Sequence, residues 1–193
     1  VLTNGLDECI LLASIGYLGH RTPEALVELG APLTAMSGTP EILVSQPAFE
    51  PYLSTAHALG ARVVSVPAGP DFAYPLEALL KAITPNTRIV YVNNPNNPSG
   101  RPVPQEAIRR ISAEAGHALV FVDEAYHDFL GENFLAAAAA FPNVIVGRTF
   151  SKAFGLAGMR VGVMIASPAI LAPIRRAMPL FNLNVVAIAA LRA

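Results

Sequence analysis

Short, nearly uninterrupted apolar runs recur along this chain at residues 42–45, 63–66, 89–92, 119–122, 144–146 and 161–165, and this rhythm constrains the fold most. Strands of that composition have no polar face to offer water, so they are expected to be buried on both sides in a largely parallel sheet. Helix-compatible stretches fall between them at 49–59, 75–83, 104–115 and 133–140. Alternation of the two elements predicts a doubly wound α/β domain, a three-layer α/β/α sandwich around a mostly parallel sheet. Ligands of such sheets gather beyond the carboxyl ends of the strands.

Length and composition narrow the possibilities. With 193 residues the chain suits one large domain. Charged residues make up 14% and apolar residues 53%, against about 25% and 45–50% in an average domain, so further apolar surface is expected to meet a subunit partner or another domain. Residues 1–2 read as the tail of a strand, and Asn184 reads as the cap of a helix over 185–191. Both ends are therefore expected to be cut from flanking segments. The net charge of -1 and the lack of a Lys/Arg cluster argue against nucleic acid or an anionic membrane as partner. No run reaches the ~18 apolar residues of a membrane span, and no signal-peptide pattern opens the chain. The lone Cys9 suits a reducing cytoplasm and excludes an internal disulfide framework. His20, His57, His117 and His127 fall at no metal-ligand spacing, so no metal is expected.

Four motifs stand at the expected strand ends or at a helix start. In Ser151-Lys152-Ala153-Phe154-Gly155-Leu156-Ala157-Gly158-Met159-Arg160 a lysine precedes an arginine by eight positions. A lysine attacks carbonyls when burial or a neighbouring cation disfavours its charge, and Arg160 is a candidate for that cation. The same guanidinium suits a phosphate, while Gly155 and Gly158 permit a tight turn and Thr149 and Ser151 add hydroxyls. Asp123-Glu124-Ala125-Tyr126 follows the run 119–122. A carboxylate there needs a cationic partner, such as a protonated pyridine nitrogen, or else it caps a helix. Tyr126 can donate to a ring oxygen or simply keep a wet tip on a helix.

Asn93-Asn94-Pro95-Asn96-Asn97-Pro98-Ser99-Gly100 reads as a turn-rich loop in which Asn97, stiffened by the next proline, offers an amide to a ring oxygen. Thr3-Asn4-Gly5-Leu6-Asp7-Glu8 opens a helix whose first amides, those of Gly5, Leu6 and Asp7, can receive phosphate. Phe49 follows another strand and either stacks on a planar ligand or packs in the core.

Taken together, Asn-Pro-Asn-Asn-Pro-Ser-Gly, Asp-Glu-Ala-Tyr and Arg-Thr-Phe-Ser-Lys-Ala-Phe-Gly-Leu-Ala-Gly-Met-Arg resemble the fold-type I, pyridoxal-phosphate-dependent aminotransferases of class I/II, and within them most the histidinol-phosphate aminotransferases. The resemblance covers essentially the whole chain as the cofactor-binding large domain, with the N-terminal arm and C-terminal small domain falling outside it. It implies that Lys152 forms the internal aldimine with pyridoxal 5'-phosphate and shuttles a proton between the substrate α-carbon and the cofactor. By the same resemblance Asp123 meets the pyridine nitrogen and Asn97 and Tyr126 the phenolate oxygen. Arg160, Thr149 and the amides near Gly5, Leu6 and Asp7 hold the phosphate with Ser151 nearby, and Phe49 stacks on the ring.

Leu6 replaces the serine usual in histidinol-phosphate enzymes, which removes one side-chain phosphate contact. No match for the family's substrate-carboxylate arginine exists among Arg175, Arg176 and Arg192. The implied activity is a cytoplasmic, homodimeric, biosynthetic transamination between an L-amino acid, foremost histidinol phosphate, and a 2-oxo acid such as 2-oxoglutarate. An aromatic or other amino-acid aminotransferase, or a decarboxylase of the threonine-phosphate type, is the alternative on the same cofactor cage.

Overall fold

The computed structural model describes residues 1–19 and 38–191. Its strands are β1 (Leu2–Thr3), β2 (Glu41–Gln46), β3 (Arg62–Pro67), β4 (Thr87–Asn93), β5 (Leu119–Asp123), β6 (Val144–Thr149) and β7 (Gly162–Ile165). They form one seven-stranded sheet in the order β1-β7-β6-β5-β4-β2-β3. Pairing is parallel from β3 through β6 and antiparallel where β7 meets β6 and β1 meets β7. Every expected run is a strand of this α/β sheet.

The helices are α1 (Leu6–Leu18), α2 (Glu50–Ala58), α3 (Leu76–Lys81), α4 (Gln105–Glu114), α5 (His127–Leu130), α6 (Leu135–Ala138), α7 (Pro168–Ala177) and α8 (Val185–Ala190). Strand alternation divides them between two faces. Ile89 and Tyr91 of β4 point into a core with Leu6, Ile10, Tyr52, Phe121 and Ile174. Val90 and Val92 point into a second core with Leu79, Ile108, Ile111 and Val120. Both cores exclude water, giving three layers.

Burial on both faces holds for β4 and β5, whose residues are all buried, but not for β3. As an edge strand β3 has β2 as its sheet neighbour, and four of its valines and polar residues stay at least partly accessible. The helix expected over 133–140 is shorter, because Asn133 turns the chain by accepting from Leu135 N and the alanines bring little side chain to bury. Asn184 does cap α8, its Oδ1 accepting from Ala187 N at 2.8 Å. His117 Nε2 lies 3.0 Å from Thr84 O and His127 Nδ1 lies 2.8 Å from Glu124 O, both structural contacts. His20 and Arg192 lie outside the described residues. Among the described residues no helix is long and apolar enough to cross a membrane, and no three metal-ligating side chains cluster.

Candidate active site

The chain leaves β2 outward to β3 and returns to β4 on the other side of β2. Such a reversal opens a crevice at the carboxyl ends of the neighbouring strands. Here it is a cleft with about 530 Å³ of empty volume, lined by Leu6, Asp7, Phe49, Asn93, Asn97, Asp123, Ala125, Tyr126, Thr149, Ser151, Lys152 and Arg160. Gly5 stands just behind the wall, next to the Arg160 guanidinium. The structure thus brings the residues singled out in the sequence to one place, although they come from four strand ends and a helix start.

Asp123 closes β5 and is 1% exposed. Its Oδ2 accepts from the Tyr52 hydroxyl at 2.5 Å, and its Oδ1 accepts from Ala125 N at 2.9 Å. Burial pushes its carboxyl up to about 6; those two hydrogen bonds oppose the rise, while the negative charges of Asp7 and Glu124 add to it. The helix cap considered for this residue is instead a local turn, since α5 begins only at His127. Next to it, the buried Glu124 pairs with Arg148 of β6 at 2.7 Å and accepts from Phe134 N. That pair braces the segment carrying Tyr126, which precedes α5 as its cap residue.

Across from this buried end, Lys152 sits in the turn after β6 with its Nζ 5.4 Å from the centre of the Tyr126 ring. Lys152 is exposed, which leaves the neighbouring cation, and not burial, as the influence to look for. The turn mixes Ala153, Gly155, Ala157 and Gly158 with Phe154, Leu156 and Met159, and Phe154 is exposed beside the lysine. Arg160, the cation expected to bear on it, is engaged with Asp7, its Nη2 lying 2.9 Å from Oδ2. Of the two glycines in the turn, Gly155 takes a left-handed φ of 68° and Gly158 does not; Arg160 itself does, at φ 53°. A left-handed arginine is strained backbone, which persists where surrounding structure enforces it.

Gly5, at φ 82°, and Gly162 explain how α1 reaches this turn. A side chain on Gly162 would meet the backbone of Gly5, and one on Gly5 would meet the Arg160 guanidinium. Their absence lets the start of α1, whose first amides have no partner within the helix, close on the arginine. Ser151 Oγ is buried there without a hydrogen-bond partner among the described residues. Thr149 Oγ1 accepts from Ser151 N at 3.1 Å and donates to Val161 O at 3.3 Å, shaping the turn.

An orphaned hydroxyl, a guanidinium, the first amides of α1 and a glycine cradle fit a phosphate, although the Gly5 amide itself donates to Thr3 O at 3.0 Å. A buried carboxylate fits a protonated ring nitrogen, and the amine fits an aldehyde. The residues present therefore suit pyridoxal 5'-phosphate.

Three further residues support this site although the sequence singled out none of them. Asn93 is the sheet partner of Asp123, and its Oδ1 accepts from Asn97 N at 2.6 Å, fixing the loop. Asn96 carries that bracing onward by donating to Pro47 O at 3.2 Å, beside Phe49. Tyr52 follows Phe49 by one helical turn on α2, the spacing that puts both on one face.

The model of the family described as aminotransferase class I and II matches residues 24–193. A histidinol-phosphate aminotransferase 2 of Ralstonia nicotianae is 44% identical over 154 residues, 77% of this chain and 41% of that protein. An aromatic amino acid aminotransferase of Nocardia farcinica is 37% identical over 189 residues, 90% of this chain and 53% of that protein. The crystal structure of the histidinol-phosphate aminotransferase from Clostridium acetobutylicum superposes with a TM-score of 0.82 at 23% identity, over 98% of this chain and 52% of that one. This last likeness shows the fold. The chain spans about half or less of the length of these relatives. It belongs to the class I and II aminotransferases.

Proposed function

We propose that these residues form the cofactor-binding large domain of a pyridoxal-phosphate-dependent aminotransferase that moves an amino group from an L-amino acid, foremost histidinol phosphate, to a 2-oxo acid such as 2-oxoglutarate. The observation that carries the reading is the single cleft in which a buried carboxylate, an amine and a guanidinium beside an orphaned hydroxyl face one another. Bound there, the cofactor would supply electron withdrawal from the substrate α-carbon and carriage of the amino group.

The chain's own residues divide the remaining work. Asp123 holds a proton on the ring nitrogen, which keeps the ring an electron sink. Asn97 and Tyr126 donate to the phenolate oxygen, and Phe49 stacks on the ring face. Arg160, Ser151, Thr149 and the amides near Gly5, Leu6 and Asp7 hold the phosphate, which fixes the reacting carbon within reach of Lys152. The Lys152 amine would hold the cofactor through its aldehyde carbon and, when free, would take the proton from the substrate α-carbon.

The choice of histidinol phosphate is supported by the Ralstonia relative, and the Nocardia relative supports an aromatic amino acid as second donor. We also infer a homodimer acting in the cytoplasm. Support comes from Leu180 and Phe181, 92% and 94% exposed, next to the exposed Val185 and Val186 of α8, and from the single buried cysteine.

The test is to incubate the whole protein and 2-oxoglutarate with histidinol phosphate, phenylalanine or threonine phosphate in turn. Glutamate is expected to form fastest with histidinol phosphate. Faster formation with phenylalanine would move the assignment to an aromatic donor, and carbon dioxide release from threonine phosphate without an oxo acid would replace transamination by decarboxylation.

A further inference from the structure

Tyr52 lies outside the cleft wall yet touches its most deeply buried charge. The phenol donates to Asp123 Oδ2 at 2.5 Å while Ala125 N donates to Oδ1 at 2.9 Å. One donor comes from α2 and the other from the chain just past β5, so the carboxylate is clamped from both sides where it lines the cleft. The phenol has no freedom to leave. Its ring is fully buried and stacks on Tyr91 with centroids 4.4 Å apart and planes 13° apart, and the Tyr91 hydroxyl meets Ser14 Oγ at 2.9 Å.

The groups around Asp123 do not favour its charge. Asp7 and Glu124 are anionic, and burial pushes the Cys9 thiol up to about 12, leaving it neutral. Tyr91 and Tyr126 bring phenols, and the Lys152 amine is directed at the Tyr126 ring. Against burial and like charge, Tyr52 Oη is the side-chain donor on this carboxylate among the described residues.

We propose that Tyr52 is a positioning residue that fixes the rotamer of Asp123 and keeps it a carboxylate, ready to hold the proton of a ring nitrogen; the second half rests on the reading of Asp123 given above. A carboxyl lacking this donor would keep its own proton and present an acid where the ring needs an anion. Phe49 and Tyr52 then act together, one turn of α2 supplying the stacking wall and the donor behind the ring nitrogen's partner.

Infrared difference spectroscopy of the cofactor-free whole protein, with Asp123→Asn assigning the carboxyl band, measures the first half directly. The parent is expected to titrate near pH 6, and Tyr52→Phe, which keeps ring and stack, is expected to raise the midpoint by about one to two pH units. The second half is read from the ring-nitrogen signal of 15N-labelled pyridoxal 5'-phosphate bound to the same proteins. Loss of the protonated-nitrogen signal in Asp123→Asn and its weakening in Tyr52→Phe are expected.

An unmoved midpoint in Tyr52→Phe overturns the proposal. A moved midpoint with a nitrogen signal indifferent to Asp123→Asn overturns the reading of Asp123 instead. If Tyr52→Phe does not fold, replacement of Tyr52 alone by 3-fluorotyrosine, a stronger donor of nearly the same shape, is expected to lower the midpoint, and no shift there overturns the proposal as well.

Discussion

The two ends of the cleft are built on opposite plans. At the ring end Asp123, Asn93 and Tyr52 are buried, stand at strand ends or on a packed helix, and are tied by hydrogen bonds to one another or to backbone. At the anchor end Lys152 is exposed, and the side chains of Arg160, in a turn with two left-handed residues, and of Asp7, at the start of α1, keep 42% and 61% of their accessibility. On the proposed reading, the difference matches what each end would do. A carboxylate can be matched to a protonated ring nitrogen only in a dry, prearranged setting, which the sheet provides before any ligand arrives. A phosphate and a reacting aldehyde must be admitted from water. Charges waiting for them lose little by staying solvated, since an exposed pair such as Arg160–Asp7 contributes about 0–1 kcal/mol and gives way easily.

Chemistry should therefore fail hardest at the lysine, and affinity should respond most at the phosphate. Lys152→Ala is expected to lower turnover of the whole protein by at least about 10⁴-fold, losing proton transfer and nucleophile together, and to lose the cofactor's visible absorbance on dialysis. An absorbance that survives dialysis would remove Lys152 from the site. Asp123→Asn is expected to retain the cofactor but lower turnover by about 10²–10³-fold, the scale of one missing electrostatic partner; near-parental turnover would show that the buried end is not where catalysis is set. Arg160→Ala is expected to leave turnover at saturating cofactor within a few fold but weaken cofactor binding by about 10–100-fold, measured by fluorescence titration. If turnover fell more than affinity, the division between the two ends would collapse.

The same contrast governs what could be read from the amino-acid order. Strands with no polar residues, such as 89–92 and 119–122, announce themselves because nothing else can hide them. Val63 and Val64 look identical to those, yet an edge strand and a central one differ in neighbours, which local pattern does not record. Residue types announced the cleft for the same reason: Asp123, Lys152 and Arg160 are costly or reactive where they stand. Exposure of Lys152 was not legible, because solvation of a turn depends on what packs over it. Tyr52 was silent because a tyrosine on an apolar helix face reads as core until its hydroxyl is found against a carboxylate, and Asn93 because its value lies in facing Asp123 across β4 and β5.

The smallest effect tests the buried end without any ligand. Asp123 titrates at about 6 in the folded protein against 3.8 as an ordinary carboxyl. Between those values the unfolded chain has already released a proton that the folded chain still holds, so the folded state loses stability as pH rises from about 4 to about 6 and is level with respect to this group above that. Unfolding midpoints of the cofactor-free protein in urea should fall across that window. In Asp123→Asn this part of the slope should vanish, while Asp7→Asn, at the exposed end, should leave it nearly intact. A slope unchanged by Asp123→Asn would mean that the buried carboxyl is solvated after all, and the two ends of the cleft would differ in position but not in plan.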